Sequence, residues 1–285
     1  MKIFNQITVN IPTLNEEKNI INCIKSIKKS GIKKIIVVDG GSIDKTIDLI
    51  KKSKIKYYIT RKKGLSSQRA LGIKKSKTKF IALIDADHRP TKSSFFKMLS
   101  DLSKSNYAAV QPILVSNKKK LNYFEKSYQK LTDINVNIKG PKKMIGMPAL
   151  WRASIIKKNN FNPKITAGSD DTDISYRLFK KGYLFGSSSA KILNIHRSTL
   201  WQYVKKYLWY GKGDAQFILV HPHKLLSILT HQLFNYPIKY SIISLLRFDV
   251  FPIPFMIVAG VLRFIGMLLE FLRKILNFKE KINST

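Results

Sequence analysis

Short apolar runs alternate with helical stretches along the first third of the chain. The runs are rich in Ile, Val or Phe and occupy residues 7–11, 34–38, 56–59 and 80–84. The helical patterns between them cover residues 16–29, 44–52 and 66–75. Alternation of this kind is typical of β-α-β units. Because the runs lack a polar face, we expect a mostly parallel sheet with helices on both faces.

The starts of two predicted helices carry polar signals. Asn15 precedes Glu16 and Glu17, which predicts that Asn15 caps the first helix and that both carboxylates lie in its first turn. Asp44 is predicted to cap the second helix in the same way. A capping role is sufficient to explain Asp44, so we predict no further function for it.

The remainder of the chain is less regular and then becomes strongly apolar. The elements predicted in its middle are helices at residues 121–131 and 170–181 and strands at residues 183–185 and 192–195. Beyond residue 198, aromatic and basic residues lead into two apolar stretches, residues 225–246 and 251–272. We expect a catalytic domain over residues 1–215 and a helical extension over residues 216–285.

The two apolar stretches suggest membrane attachment. Residues 251–272 carry only Arg263 and Glu270 as charges, and their length could cross a bilayer. Arg263 near the middle would cost about 2.5 to 3.5 kcal/mol on insertion, so an interfacial or re-entrant helix competes with a full span. The earlier stretch contains His231 and Pro237, which favours a broken helix in the headgroup region. A pair of buried core helices is the alternative.

The net charge and the cysteine content limit the kinds of binding partner and metal site that we expect. The chain has 52 Lys and Arg against 17 Asp and Glu, a formal net charge of +35, which favours phosphates, nucleic acid or an anionic membrane. Most of the basic residues are Lys, whereas proteins that read bases rely on Arg, so we expect no nucleic-acid partner. Cys23 is the single cysteine, which excludes an internal disulfide and a cysteine-based zinc site. The chain enters its first strand without a signal-peptide pattern, so we expect the catalytic part to face the cytoplasm.

Two carboxylates follow the fourth predicted strand. Asp85 and Asp87 flank Ala86 directly after residues 80–84, and ligands of open parallel sheets bind outside the carboxyl ends of strands. Two oxygen ligands that leave positions for water and phosphate suit Mg²⁺ or Mn²⁺ on a diphosphate. The alternative is a turn whose acidic residues cap the helix that begins near Thr91.

Polar groups also follow the first two strands. Asp39 at the end of the second strand can accept hydrogen bonds from a ribose or a base, and Gly40 and Gly41 let the backbone approach a ligand. Residues 12–16 place further polar groups after the first strand. This first turn lacks Gly-x-Gly-x-x-Gly, which excludes the dinucleotide-binding version of such a sheet.

Taken together, these motifs resemble a known family. Residues 11–16, 38–44, 64–69 and 85–87 resemble, in order and spacing, the donor half of family-2 inverting glycosyltransferases over roughly residues 6–90. The resemblance is closest to polyprenyl-phosphate sugar transferases and related membrane-associated members. It implies an α/β fold of the GT-A type, a Rossmann-like mixed sheet flanked by helices. It also implies a nucleotide pocket and a metal site, whose residues would be Pro12, Thr13, Glu16, Asp39, Arg69, Asp85 and Asp87.

The acceptor half of the family is marked by a pair of carboxylates before a helix. Asp170 and Asp171 resemble that motif, commonly Glu-Asp, and the match by position makes Asp171 the catalytic base with Asp170 as the other candidate. Independently, Asp170, Asp171 and Asp173 repel one another, and such repulsion raises a pKa toward values useful to a general base. The alternative is a set of acidic residues that stabilise the first turn of a helix.

Two further positions follow from the resemblance. His196 comes after the predicted strand 192–195, where family members often carry a histidine near the metal or diphosphate. Residues 207–214 resemble a segment of membrane-associated members, in which Lys212 would hold the leaving diphosphate or a lipid-phosphate acceptor. A lone histidine is more often structural, and the alternative for residues 207–214 is an interfacial aromatic belt.

The function predicted on these grounds is inverting transfer of a sugar from a nucleoside-diphosphate donor. The donor would be a UDP- or GDP-sugar, the metal Mg²⁺ or Mn²⁺, and the acceptor a lipid or a glycan at the cytoplasmic face of the membrane. A nucleotidyltransferase acting on a sugar phosphate and a non-catalytic protein that binds anionic membranes are the alternatives.

Overall fold

The computed structural model describes residues 2–60, 62, 64–117 and 121–283. The strands in these residues are β1 Ile7–Thr13, β2 Lys34–Asp39, β3 Lys56–Ile59, β4 Phe80–Leu83, β5 His88–Arg89, β6 Ala109–Val115, β7 Pro141–Lys142, β8 Ala149–Arg152 and β9 Phe185–Asn194. The α-helices are α1 Ile20–Lys29, α2 Thr46–Lys52, α3 Leu65–Lys75, α4 Lys92–Ser103, α5 Tyr123–Asn135, α6 Ala153–Asn159, α7 Asp170–Phe179, α8 Leu200–Val220, α9 Leu225–Thr230, α10 Tyr240–Leu246 and α11 Ile253–Asn283.

The chain divides into two compact units. Unit 1 comprises Met1–Lys119, Val136–Pro163 and Asp171–His196, and unit 2 comprises Lys120–Asn135, Lys164–Asp170 and Arg197–Thr285. The predicted boundary between residues 215 and 216 lies inside α8, whereas the long final segment of unit 2 begins at Arg197.

Unit 1 is built on one mixed sheet. Its strand order is β3-β2-β1-β4-β8-β6-β9-β5, and β7 pairs with β9. Strands β3, β2, β1 and β4 are mutually parallel, whereas β8 runs antiparallel to both β4 and β6. Strand β6 is therefore parallel to β4, and β9 is parallel to β6. The mixed, helix-flanked sheet predicted by the family resemblance is confirmed.

Alternating side chains of the central strands fill two cores, one on each face of the sheet. In β4, Phe80 and Ala82 pack with residues of α1 and α4, whereas Ile81 and Leu83 pack with residues of α6 and α7. This is the two-residue period of a strand covered on both sides. Cys23 of α1 lies in the first core and is fully buried.

The strand directions bring functional segments to one edge of the sheet. The carboxyl ends of β1, β2, β4, β6 and β9 all lie at this edge, together with the start of the antiparallel strand β8. The residues that follow β1, β2 and β4 are those in which the sequence predicts donor and metal sites. The carboxyl edge of unit 1 is therefore where a ligand site is expected.

Several predicted element bounds are wrong in detail. The first helix begins at Ile20 and its N-cap is Asn19, not Asn15, which adopts a left-handed backbone with φ of 56°. One strand, β9 at Phe185–Asn194, takes the place of the strands predicted at 183–185 and 192–195, and the residues between the two predicted strands alternate in burial. The helix near Thr91 is capped by Thr91 itself together with Ser94, so Asp85 and Asp87 are not its caps.

Unit 2 is helical in its described residues. Residues 225–246 form α9, a π-helix over His231–Lys239 that contains Pro237, and α10. The chain stays helical throughout, so the predicted break appears as a change of helix type, and a location in the headgroup region stays a prediction. Its core is rich in tyrosine, with Tyr203, Tyr207 and Tyr236 all nearly fully buried. Within α11, Ile253–Asn277 is long and apolar enough to cross a membrane, judged by length and composition alone.

Helices α8 and α11 approach each other at glycines. A methyl group on Gly211 would collide with the backbone of Arg263, and one on Gly266 would collide with the backbone of Leu208. Gly213 is in similar contact with the backbone of Gly168, in the loop before α7. Glycine is required at these positions because only hydrogen fits between the two backbones.

Candidate functional site

The loops after β1 and β2 are tied together by hydrogen bonds. The backbone N–H of Glu16 donates to Thr46 Oγ1 at 2.8 Å, and that of Glu17 donates to Asp44 Oδ2 at 3.2 Å. Asn15 Oδ1 accepts from the Ile43 N–H at 2.9 Å. These hydrogen bonds hold residues 15–17 against the connection between β2 and α2, and α1 begins at Ile20, after its N-cap Asn19.

Asp44 has a structural role, as predicted, but it is not the N-cap of α2, which is Lys45. Its Oδ1 accepts a hydrogen bond from the N–H of Thr46, the first residue of α2, at 3.0 Å. Burial alone would raise the pKa of Asp44, but its hydrogen bonds with Thr46 and with the Glu17 N–H lower it.

Asp39 is fully buried at the end of β2, and its carboxylate organises the following turn. Its Oδ1 accepts from the N–H groups of Gly41 at 2.8 Å and Ser42 at 2.7 Å. Its Oδ2 accepts from Ser42 Oγ at 2.6 Å and Thr13 Oγ1 at 3.1 Å. Four hydrogen bonds use the ordinary acceptor capacity of a carboxylate. The contact predicted between Asp39 and a nucleotide stays a prediction.

A glutamine on α3 forms a hydrogen bond with the end of β1, next to these loops. Gln68 Nε2 donates to the carbonyl of Thr13 at 2.9 Å, and the Gly40 N–H donates to the same oxygen at 2.9 Å. A methyl group on Gly40 would collide with Gln68 Nε2. Glycine at this position therefore serves a close approach, although to a side chain of the protein and not directly to a ligand.

Asp85 and Asp87 form a cluster with a residue that the sequence analysis missed. One ligand atom from each of Asp85, Asp87 and His88 lies within 4.8 Å of the others. His88 is 4% exposed, and its Nδ1 lies 3.4 Å from Asp87 Oδ1 and accepts the Asp85 N–H at 3.2 Å. The signal in the sequence was a histidine directly after Asp87. At this histidine the chain re-enters the sheet as β5.

The residues of this cluster fit a divalent cation. Asp87 Oδ1 is buried and has no hydrogen-bond partner among the described residues, which is unusual for a carboxylate oxygen. Both carboxylate side chains are about one-third exposed, at 31% for Asp85 and 32% for Asp87. Carboxylate oxygens suit Mg²⁺ and Mn²⁺, and an imidazole is more readily accepted by Mn²⁺.

Arg69 lies against this cluster. Its Nη2 is 3.0 Å from Asp85 Oδ1 and 3.3 Å from Oδ2, and its guanidinium faces the ring of Phe161 at 5.7 Å. The side chain is 4% exposed. The arginine therefore orients Asp85 and places a positive charge beside the cluster. The structure thus joins two of the predicted pocket residues.

The other predicted pocket residues lie at the same edge. Pro12 is buried at the end of β1 and Thr13 follows it, while Glu16 is half-buried and its Oε2 accepts from Asn19 Nδ2 at 3.0 Å. His196 follows the end of β9, and the N–H of Ile195 donates to the Asp87 carbonyl at 2.9 Å. The cluster found among the described residues does not include His196, so its role as a metal ligand stays a prediction.

The acidic residues of α7 differ in exposure and partners. Asp170 is 3% exposed, whereas Asp171 is half-buried and its Oδ1 accepts the Thr172 N–H at 2.8 Å. Asp173 is fully buried and pairs with Arg177 at 2.8 Å. Asp173 is thus held in a structural ion pair, and Asp171 is the most accessible of the three carboxylates.

Within unit 2, a buried ion pair lies beside the loop that leads to Asp170. Asp214 is fully buried and accepts from Ser169 Oγ at 2.6 Å, from Gln232 Nε2 at 2.7 Å and from the guanidinium of Arg263. Burial alone would raise the pKa of Asp214, but the charge of Arg263 and these hydrogen bonds lower it. Lys212 lies half-buried on the same helix, α8, and its predicted phosphate contact stays a prediction.

Solved glycosyltransferases share this fold. GalNAc-T7, crystallised with UDP, GalNAc and Mn²⁺, matches with a TM-score of 0.56 and 14% identity over 73% of this chain and 47% of its own. S. aureus TarS 1–349 in complex with UDP matches with a TM-score of 0.53 and 14% identity over 92% and 89% of the two chains. At these identities the likeness shows the fold alone.

A short local match links the chain to an archaeal protein. The uncharacterised protein MJ1222 of Methanocaldococcus jannaschii is 50% identical over 44 residues, which are 15% of this chain and 18% of that protein. A family model covers much more of the chain. The model described as glycosyl transferase family 2 matches residues 8–163, more than half of the sequence.

The fold and the family match define the class of the protein as a glycosyltransferase. Within that class, the chain belongs to glycosyl transferase family 2.

Proposed function

We propose that the chain transfers a sugar from a UDP- or GDP-sugar to a lipid-linked or glycan acceptor, with inversion at the anomeric carbon. The observation that carries the proposal is the cluster of Asp85, Asp87 and His88 at the carboxyl edge, with Arg69 beside it. Mn²⁺ and UDP accompany GalNAc-T7 in its crystal structure, which supports a uridine donor and a divalent cation.

Each group of site residues would have a separate role in this reaction. Asp85 and Asp87 would hold Mg²⁺ or Mn²⁺, which supplies positive charge for the diphosphate that leaves. Pro12, Thr13 and the turn organised by Asp39 would enclose the nucleotide. Asp171 would accept the proton of the acceptor hydroxyl. The acceptor oxygen would then bond to the anomeric carbon while the bond from that carbon to the diphosphate breaks. One displacement of this kind inverts the configuration.

A donor screen tests this proposal. UDP-, GDP- and CDP-sugars would each be incubated with the full chain and Mn²⁺ or Mg²⁺, with and without polyprenyl phosphate, while nucleoside diphosphate release is measured. We expect metal-dependent release from a UDP- or GDP-sugar. Release of pyrophosphate from a nucleoside triphosphate would instead support the nucleotidyltransferase alternative, and no turnover of any donor would support the non-catalytic one.

Asp171→Asn is expected to lower kcat by about 10²- to 10⁴-fold, because a positioned general base contributes about that much. Donor affinity should stay within about twofold, since Asp171 is assigned to the acceptor. Asp170→Asn is the matched variant: it removes the neighbouring, buried carboxylate and is expected to have the smaller effect on kcat. A larger effect of Asp170→Asn would transfer the base role to Asp170. Near-normal turnover of Asp171→Asn would argue for a phosphate acceptor, which needs no strong base.

Membrane attachment through unit 2 is the second part of the proposal. Leu226, Leu246 and Phe248 are 75%, 75% and 99% exposed. Exposed Ile, Leu and Val also recur along α11, whose two inner charges have partners in the protein: Arg263 pairs with Asp214, and Glu270 accepts from Gln216 and Arg273. An apolar outer surface on a chain of net charge +35 suits an anionic bilayer.

Co-flotation with vesicles tests the attachment. The full chain is expected to float with vesicles that contain phosphatidylglycerol, and the triple variant Leu226→Asp, Leu246→Asp, Phe248→Asp to lose most of that binding. Phe96→Asp is the matched control, since Phe96 is 57% exposed but lies in unit 1. Full recovery of the unchanged protein in the soluble fraction at low salt without detergent would contradict the proposal.

A further inference from the structure

Gln111, a buried residue of β6, faces the candidate base across a glycine. A methyl group on Gly146 would lie 3.1 Å from Gln111 Nε2 and 3.5 Å from Asp171 Oδ2. Because Gly146 has no side chain, the gap beside its Cα is lined by both an amide nitrogen and a carboxylate oxygen. Gln111 is 3% exposed, whereas Gly146 and Asp171 are half-buried.

Lys142 determines which end of the Gln111 amide faces the gap. Its Nζ donates to Gln111 Oε1 at 2.9 Å and to the carbonyl of Val136 at 2.7 Å. A lysine ammonium can only donate, so the amide oxygen must point toward Lys142. The NH₂ group of Gln111 is consequently directed toward Gly146 and Asp171. Lys142 is itself half-buried, and burial lowers its pKa to about 8.

The sheet accounts for this juxtaposition. Val110 pairs with Leu150 of the antiparallel strand β8, which places Gln111 next to the start of β8 and the loop that contains Gly146. The register between β6 and β9 shifts between Gln111 and Ile113, around Pro112. Irregularities of this kind redirect side chains and often lie beside active sites.

We propose that Gln111 is an acceptor-binding residue and Lys142 its positioning residue. The Gln111 NH₂ group donates a hydrogen bond to the incoming acceptor oxygen in the gap beside Gly146, next to Asp171. This inference rests on the proposed function, because it assigns the Asp171 side of the site to the acceptor.

The geometry suits an oxygen that is about to become a nucleophile. A hydrogen bond from Gln111 occupies one lone pair of an acceptor hydroxyl and leaves its proton to face Asp171 Oδ2, while another lone pair attacks the anomeric carbon. The proton then resides on Asp171, and the nucleoside diphosphate leaves with the bonding electrons. A phosphate oxygen can accept the same hydrogen bond without transferring a proton.

Gln111→Glu is the principal test, because it preserves shape and the Lys142 contact but removes the NH₂ group. We expect the acceptor KM to rise about tenfold, as for loss of one buried hydrogen bond, while the Kd for UDP with Mn²⁺ stays within about twofold. Acceptor kinetics would be measured with undecaprenyl phosphate and with octyl β-glucoside, using the donor turned over by the unchanged protein. These two arms distinguish phosphate from hydroxyl acceptors.

Lys142 supplies a second, graded test. Lys142→Met removes the group that orients the amide and is expected to raise the acceptor KM by a few-fold. Lys142→Arg, which also only donates, should recover most of that loss. Lys143→Met is the matched control, since Lys143 is an exposed neighbour whose ammonium faces the ring of Phe179 at 5.4 Å. We expect unchanged acceptor KM for this control.

The outcomes separate this inference from the proposed function. If the unchanged protein turns over a donor but Gln111→Glu has a normal acceptor KM, the inference is overturned and the function stands. A parallel rise in the UDP Kd would also overturn it, because Gln111 would then act on the donor side or on folding. If no sugar nucleotide is turned over by the unchanged protein, both fail.

Discussion

Alanine at Asp87 is expected to lower metal-dependent sugar transfer by about a thousandfold or more. A bound cation is worth several kcal/mol of charge stabilisation on the leaving diphosphate, and about 1.4 kcal/mol corresponds to a factor of ten in rate. Asp87 Oδ1 is buried without a hydrogen-bond partner among the described residues, so its replacement removes little except the proposed ligand. Turnover of the donor found in the screen would be measured over a range of Mn²⁺ concentrations.

Calorimetric titration with Mn²⁺ in the presence of UDP measures the effect of Asp87→Ala on metal affinity, independently of turnover. Asp87→Ala should weaken Mn²⁺ binding, whereas Asp48→Ala, an exposed carboxylate on α2, should leave binding and turnover unchanged. Mn²⁺ titration of His88→Ala tests whether the imidazole is a metal ligand. Turnover by Asp87→Ala that persists after chelation of all metal would contradict the assignment.

The largest effect on stability is expected from Arg263→Met. Removing one partner of a buried ion pair costs about 3 to 5 kcal/mol, because the remaining charge stays buried. Here the remaining charge is Asp214, which would keep its bonds to Ser169 and Gln232 but lose the guanidinium. Urea unfolding in detergent, followed by tryptophan fluorescence, should show a lower midpoint for this variant.

The sign of this effect is informative. If Arg263 faced lipid alone, methionine would make α11 more favourable in a bilayer and the variant would gain stability. Lys130→Met is the matched control: it breaks the more exposed pair with Asp249 in the same unit and should cost at most about 1 kcal/mol. The double variant Arg263→Met, Asp214→Leu should recover much of the loss, since an apolar replacement of both charges is often tolerated. A stable Arg263→Met protein would show that the pair is not important for folding.

Apolar periodicity predicted the first four strands closely, although only β1, β2 and β4 are buried on both faces and β3 is a partly exposed strand at the end of the sheet. The predicted run 56–59 and the observed β3 coincide, and β1 and β2 extend past their predicted ends by two residues and one residue. Short strands were missed because their length is set by partners distant in sequence. His88 and Arg89 form β5 only by pairing with the end of β9.

Local signals were least reliable where side chains bond across loops. Glu16 and Glu17 suggest the first turn of a helix, yet their N–H groups bond to Thr46 and Asp44 from the next β-α connection. Gln111 and Lys142 were also missed, since neither residue belongs to a recognisable motif. Their arrangement depends on the pairing of β6 with β8 and β9, which no local pattern encodes.

The interlocked loops after β1 and β2 have a consequence for ligand affinity. Since Asn15, Glu16 and Glu17 already bond to the neighbouring connection, much of the proposed donor pocket is ordered before a nucleotide arrives. A preorganised pocket loses little conformational entropy on binding, so more of the contact free energy is available as affinity. Donor binding would then require little rearrangement of the protein. Most of the conformational ordering during turnover would accompany acceptor binding.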